Sequence, residues 1–463
     1  MWPTKSPASA FIDRRRRLQE RLTAPAVFVS GFSRPRNFAG NRYPFRAESH
    51  FLYLVGQALE GAVLVIEPSS AVLYAPKPDP EEELWSGPMP ELSQLAELCG
   101  LPVRPLEEIE VPEGAMTLPA QDWESALFQG ELVGRDIDPG SGPELEGPSV
   151  ALAEALIELR LQHDDAAVAQ LRQAAWGTAA AHRAGLAATR PGLREASVRA
   201  AMEAAFVAWG YSASYNPIVT THGEVLHAVR TDGLLNPGDL LLADVGAETP
   251  EGWAGDVTRT WPVSGRFSAT QRAIYEVVLA SQLAAIAEVR PGVRYREVHR
   301  TAGRVVVEGL VALGIFAGDP KELYELGAAA LFFPHGVGHL LGLDVHDMED
   351  LGDRAGYAPG RARATTPGDR YLRLDRDLAP GMALTIEPGF YQIRRLLERP
   401  EEVGALEPHL RRAELARFAD VRGIRIEDDV LVTEHGCDVL TQAIPKHPDE
   451  LEAALAERAA PAS

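Results

Sequence analysis

The sequence predicts an α/β (α+β) protein in two parts: a smaller N-terminal α/β domain over residues 1–160, and a larger C-terminal domain with an internal pseudo-two-fold repeat over 161–463. Three observations carry this reading. The chain of 463 residues exceeds what one ordinary core organises. A Gly-, Pro- and Ser-rich stretch at 134–149, GRDIDPGSGPELEGPS, parts a strand-rich first stretch from a strongly helical second one. The second part then repeats itself. Arg190-Pro191-Gly192-Leu193-Arg194 and Arg290-Pro291-Gly292-Val293-Arg294 each precede an amphipathic helix, a loop and aliphatic strands. A site between two such halves would collect its side chains from both.

The elements follow in order. The N-terminus carries the Arg14–Arg17 run but no apolar stretch behind it, so a secretory signal is not expected. The run reads as the solvated face of a first helix ending near Leu22. From about 25 to 125, AVFVSG, HFLYLVG, AVLVIEP and AVLYAP read as alternating strands and short helices. Past the linker, Val198, Ala201, Met202, Ala205, Phe206 and Trp209 share one helical face, and Gly210 stops that helix. Ser268 and Gln271 form a capping-box pattern opening a helix to Arg290, where Pro291 and Gly292 end it.

Composition removes whole classes of function. A formal net charge of −21 argues against a nucleic-acid partner, whose phosphates need a basic surface. No stretch approaches ~18 uninterrupted apolar residues, so no membrane partner is expected. Cys99 and Cys437 lie far apart and in no ligand-like spacing. That fits a reducing compartment, and a cytoplasmic location is expected.

The chemistry lies in carboxylates placed where strands should be apolar. DLLLADVGA carries Asp244, MALTIEP carries Glu387 and GIRIEDDVLV carries Glu427. A lone buried carboxylate is costly, so each must be neutralised, paired or metal-bound. Asp256, in WAGDVTRTWPV, follows the Asp244 strand across the turn ETPEG, so a hairpin would set the two aspartates side by side. Adjacent carboxylates repel unless a cation lies between them. Nitrogen donors come from FFPHGVGHLLGLDVHDMED, where His335, His339 and His346 recur within twelve residues. His227, in GEVLHAV, is a further candidate. Four carboxylates and an imidazole suit a pair of divalent ions such as Mn²⁺, Co²⁺ or Zn²⁺. The missing thiolate argues against a structural zinc site. Such a pair activates water and polarises a carbonyl, which is hydrolytic chemistry.

These segments resemble the pita-bread metallopeptidases, a group that includes Xaa-Pro aminopeptidase, prolidase and methionine aminopeptidase. HGVGHLLGLDVHD (335–347) fits the signature of the proline-peptidase branch, and AGDVTRT, LTIEPGFY and GIRIEDD match its other catalytic segments. The likeness covers roughly 165–445. It continues more weakly into RNFAGNRYPFRAESHFLYLVG and ELWSGP, which resemble the N-terminal domain of Xaa-Pro aminopeptidases and larger prolidases. The resemblance implies a metal set of Asp244, Asp256, His339, Glu387 and Glu427, with Asp256 and Glu427 bridging two ions. It implies that His227, His335 and His346 surround the substrate, that Glu387 and Arg425 act in catalysis, and that Tyr391 lines the pocket. Trp85 matches a tryptophan that can reach a neighbouring subunit's site, which implies a homodimer or homotetramer.

Two departures stand out. Ala228 follows His227 where the family has Tyr, and the spacing of the two aspartates is one residue longer, which the ETPEG turn can absorb. Two substrates remain open. ELWSGP and the N-terminal segments favour an aminopeptidase acting on peptides with proline second. FFPHGVGH and the long insert between Tyr391 and Gly423 favour a dipeptidase. A metal-free binding module on the same fold predicts substitutions among the five ligands, and none is present.

Overall fold

A computed structural model describes residues 4–457. The chain forms two compact units: Thr4–Gln170 with Met348–Ala355, and Leu171–Asp347 with the chain from Gly356 onward.

The first unit is built on a four-stranded sheet of β1 (Ala26–Val29), β2 (Val63–Glu67), β3 (Ser70–Ala75) and β4 (Val103–Pro105), in that order. The first two pairings are antiparallel and the last is parallel. Val27, Val29, Val63, Val65 and Tyr74 pack together in one buried cluster, as period-two side chains should. Among the four apolar runs, HFLYLVG is the helical one, α2 (Ser49–Val55). The Glu48 side chain accepts from the Phe51 amide at its start, and Gly56 ends it at φ 74°. All seven of its residues are buried. A helix without a polar face hides the 3.6-residue period that would have marked it.

The arginine run departs from its expected role. α1 (Ala8–Gln19) buries Arg14 and Arg15 to 1% and 3% exposure and leaves only Arg16 and Arg17 toward solvent, so half of the run is not a solvated face. Arg14 pairs with Asp164 at 2.7 Å and stacks over Phe11 and Tyr53. Arg15 donates to the carbonyls of Leu54, Cys99 and Gly100, which lie at the ends of two helices. Helix C-termini leave such carbonyls without intrahelical partners, and a guanidinium fork reaches several at once.

The second unit shows the repeat. Its first half runs α3 (Asp165–Ala188), α4 (Glu195–Val207) and a sheet of β5 (Ile218–Thr220), β6 (Leu240–Asp244) and β7 (Thr258–Pro262). The second half runs α5 (Ala269–Glu288), α6 (Tyr295–Ala312) and a second three-stranded sheet, of β8 (Ala383–Ile386), β10 (Asp428–Val432) and β11 (Cys437–Val439). β9 (Gly389–Tyr391) pairs separately with the short strand Gly423–Arg425. The two RPG turns are built alike. Gly192 and Gly292 take φ 85° and 82°, a region glycine enters without strain. Their amides donate to Leu235 and Leu378 at 2.8 Å in both cases. As the sequence pattern predicts, α4 buries Val198, Met202 and Phe206, and α5 opens on the Ser268/Gln271 capping box. β6 and β7 form the expected antiparallel hairpin, with Asp244 opposite Thr258.

Candidate metal centre and its cleft

Four turns deliver the acidic residues to one place. Asp244 is the last residue of β6, and Asp256 stands two residues ahead of β7. Glu387 lies in the two-residue break between β8 and β9, and Glu427 lies between Arg425 and β10. His339 comes from the glycine-rich loop that runs along β8, where the Thr385 amide donates to the His339 carbonyl at 3.0 Å. That approach requires Gly338, at φ 154°, because a Cβ there would lie 2.0 Å from the Thr385 oxygen. The donor atoms of Asp256, His339 and Glu427 all lie within 4.8 Å of one another, and all three residues are buried. Together with Asp244 and Glu387 they line a cleft of about 940 Å³. Between the two aspartates the chain turns, with the Gly252 amide donating to the Thr249 carbonyl at 2.8 Å, and both acids line the cleft.

Four carboxylates here face two cationic side chains. Arg425 holds Asp244, and His339 Nε2 lies 3.3 Å from Asp256 and 3.8 Å from Glu387. Burial pushes the Glu387 carboxyl up to about 7, with Asp256 and Asp244 adding to the rise against His339 and Arg425. Burial, then the charges of Asp256, Glu387 and Asp244, carry Glu427 well above the usual carboxylate range. Burial also raises Asp244. Asp256 moves the other way: burial opposes it, but the hydrogen bond and charge of His339 keep it low. The protein's own cations thus leave negative charge uncompensated, which a divalent ion would neutralise. The imidazole is oriented to suit. His339 Nδ1 lies 2.9 Å from the Leu340 carbonyl, which can only accept, so Nδ1 keeps its proton in either charge state and it is the Nε2 proton that a metal would displace.

The remaining histidines are placed unequally. His227 stands exposed on the cleft wall. His346, at φ 61°, sets its ring centroid 4.1 Å from that of His339. His335 donates from Nδ1 to the Gly336 carbonyl at 2.8 Å and accepts at Nε2 from the Tyr391 hydroxyl, also at 2.8 Å. Burial, then the Arg425 charge, pushes it down to about 3, so its ring is neutral.

With this geometry in place, comparison with known proteins decides the family. The model for metallopeptidase family M24 matches residues 169–434, and the model for the aminopeptidase P N-terminal domain matches 11–131. The chain belongs to metallopeptidase family M24. It is 36% identical over 434 residues to a probable Xaa-Pro aminopeptidase of Talaromyces stipitatus, covering 88% of this chain and 87% of that one. It is 31% identical to the human Xaa-Pro dipeptidase, covering 98% of this chain and 94% of that one. The Pseudomonas aeruginosa aminopeptidase PepP structure superposes with a TM-score of 0.81 at 31% identity, covering 98% and 99% of the two chains. The expected two-domain fold and peptidase activity are therefore those of this M24 protein, and a divalent metal is implied by its family and its donor set.

One site read from the sequence sits differently from expectation. Tyr391 does not form the pocket wall: its ring is fully buried, and its hydroxyl is spent on His335 and on Arg425, 3.2 Å away. It reaches the cleft only through those neighbours. Trp85 lies on the helix Pro80–Ser86 of the first unit and is 79% exposed. Two M24 site residues escaped the sequence reading. The Tyr215 hydroxyl donates to Asp244, and the Thr258 hydroxyl donates to Glu427 at 2.7 Å while accepting from Arg425 Nε at 2.9 Å. Thr258 stands opposite Asp244 in the hairpin, two residues past Asp256, and that proximity to a candidate acid was the one signal that could have found it. Tyr215 precedes β5 in a segment with no pattern to mark it.

Proposed function

We propose that this M24 peptidase is an Xaa-Pro aminopeptidase that removes the N-terminal residue preceding proline, using two divalent ions held by Asp244, Asp256, His339, Glu387 and Glu427. The observation that carries this reading is the convergence of all five donors on one cleft that also contains His227, His335, His346 and Arg425. Manganese is the proposed metal, with cobalt or zinc able to replace it, and Asp256 and Glu427 are the proposed bridging ligands. Bound ions supply an activated water and an electrophile for the scissile carbonyl.

The chain's own groups do the rest. His227 and His346 hydrogen-bond the substrate and favour the charge that develops on the carbonyl oxygen. His335, with Nδ1 3.8 Å from Glu387, joins them by exchanging its bond to Gly336. The Glu387 carboxylate takes the proton of the attacking water and returns it to the departing proline nitrogen. Arg425, gripped by Asp244 and Thr258, fixes the orientation of the acids. A cytoplasmic homo-oligomer is proposed, with Trp85 presented to a neighbouring copy's cleft, and a domain division near residue 160.

A dipeptidase is the second reading. Ile393, Leu396 and Leu406, from the long insert after Tyr391, line the cleft and would limit substrate length. Mass-spectrometric digestion of Gly-Pro and Arg-Pro-Pro side by side, with added Mn²⁺, separates the two. Release of arginine from Arg-Pro-Pro is the expected result. Cleavage of Gly-Pro alone would establish the dipeptidase, and two intact peptides would remove both readings.

A further inference from the structure

The repeated RPG turn has a use that the metal set does not explain. In each half the turn is followed by an arginine and then by the first residue of a buried helix, Glu195 at the start of α4 and Tyr295 at the start of α6. Both are buried, at 2% and 0% exposure, and both side chains reach into loops that carry site residues. Tyr295 donates its hydroxyl to the Thr385 carbonyl at 2.8 Å, two residues before Glu387 and against Gly338, the neighbour of His339. It props the second half of the site from beneath.

Glu195 does the corresponding work in the first half, with different chemistry. Its Oε1 accepts from the Thr221 amide at 2.7 Å and from the Thr221 hydroxyl at 3.0 Å. Its Oε2 accepts from the Gly233 amide at 3.2 Å. Thr221 and Gly233 are the two ends of one loop, and His227 lies midway between them. Backbone bonds complete the clamp: Glu195 and Ala196 donate their amides to Gly233 and Thr231 at 3.0 and 2.9 Å. Position 233 has to be glycine, since a Cβ there would lie 2.7 Å from the Glu195 carboxyl. Beyond this base the loop is exposed at Val225, His227 and Val229. The segment, which Arg422 also grips through Glu224 at 3.0 Å, therefore has both ends tied to one buried carboxylate.

We infer that Glu195 is a positioning residue for catalysis, which holds the two ends of the 221–233 loop so that His227 is presented to the substrate, as Tyr295 supports His339 and Glu387 in the other half. The inference rests on the proposed substrate role of His227.

Glu195→Gln is the informative variant. The amide keeps one acceptor, but its NH₂ must face either Thr221 or Gly233, both donors, so one arm of the clamp opens. Measured on an Xaa-Pro tripeptide with the metal-loaded enzyme, kcat should fall about tenfold with KM and bound metal little changed, since one hydrogen bond to a positioned group is lost. Hydrogen exchange should accelerate over 221–233 and nowhere else. In a His227→Ala background the same substitution should cost nothing further, because two residues acting as a unit are not additive. Thr221→Val, which deletes only the hydroxyl arm, should reproduce the effect in milder form and covers the case of a poorly folding Glu195→Gln.

Wild-type kcat in both folded variants would overturn the inference. So would an equal fold-loss in the wild-type and His227→Ala backgrounds, which would mean that Glu195 acts on something other than His227. If His227→Ala itself keeps full activity while Glu195→Gln still loosens 221–233, the role of His227 fails and the clamp alone survives.

Discussion

Glu427 and Asp256 are each held by a residue that touches no substrate. The Thr258 hydroxyl fixes Glu427, and the Asp256 amide donates to the Asp429 carboxylate at 3.2 Å. Removing a ligand charge with Asp256→Asn or Glu427→Gln should abolish hydrolysis and lower the bound metal, with the fold intact by circular dichroism. Thr258→Val keeps every ligand but frees one oxygen of Glu427, and such supporting bonds are typically worth ~10–100-fold in metal affinity. Metal titration followed by activity tests this directly, and unchanged affinity would mean that Thr258 serves packing alone. His335→Ala and His346→Ala should instead lower kcat by ~10²–10³ while sparing metal content, the usual cost of one lost stabilising contact. Parallel loss of metal and activity would make them supports of the metal shell.

Among the elements, those whose sequence period survives in the fold were legible. The α4 stripe and the Ser268 cap are local patterns, and the β6–β7 hairpin follows from two strands and a turn. Three of the five proposed metal donors, Asp244, Glu387 and Glu427, showed themselves because acids interrupt aliphatic strands, Asp256 through the hairpin and His339 through the histidine cluster. HFLYLVG gave no such signal, being buried on every side. Arg14 and Arg15 misled because a run of four arginines on a helix suggests water, whereas their partners lie 39 to 150 residues away in sequence. Tyr215 was unreadable for the same reason: its meaning depends on Asp244, reached only through the fold. Arg15→Ala tests the buried reading. It strands the carbonyls of Leu54, Cys99 and Gly100 in a water-poor environment, and should destabilise by on the order of 3 kcal/mol in urea unfolding. A loss below about 0.5 kcal/mol, normal for a surface residue, would return Arg15 to the solvated face.

For the whole molecule, acid and assembly are the informative variables. His182 is fully buried, with Nε2 against the Val245 and Val257 carbonyls, and burial, then the Arg259 charge, pushes it down to about 3. Its proton is therefore bound more readily in the unfolded chain. The associated stability is complete above pH ~6.5 and declines as pH falls toward the folded value, by about 2 kcal/mol at pH 5. Urea midpoints at pH 7.5 and 5 should differ less in His182→Gln than in the wild type; an equal difference would assign the acid sensitivity to other groups. Trp85, with Leu84 beside it at 78% exposure, leaves a bare apolar edge on the first unit. Trp85→Ala should raise KM for tripeptides and shift size-exclusion elution toward the monomer, without lowering the melting temperature. A wild-type enzyme that is monomeric and fully active would end the neighbouring-copy role.

The division of the donors between the halves of the repeat has one more consequence. Asp244 ends β6 and Asp256 leads into β7, while His339, Glu387 and Glu427 belong to the β8–β11 half. On the proposed ligand set neither half holds a complete coordination set, so binding free energy would be available only when both are assembled. Bound ions would then act as a rivet through the middle of the catalytic unit. If the chain were cut at the exposed turn near Ser264, between β7 and α5, the pieces should part readily when stripped by a chelator and reassociate when Mn²⁺ is restored. Loading the enzyme would be, at the same time, a step in its assembly.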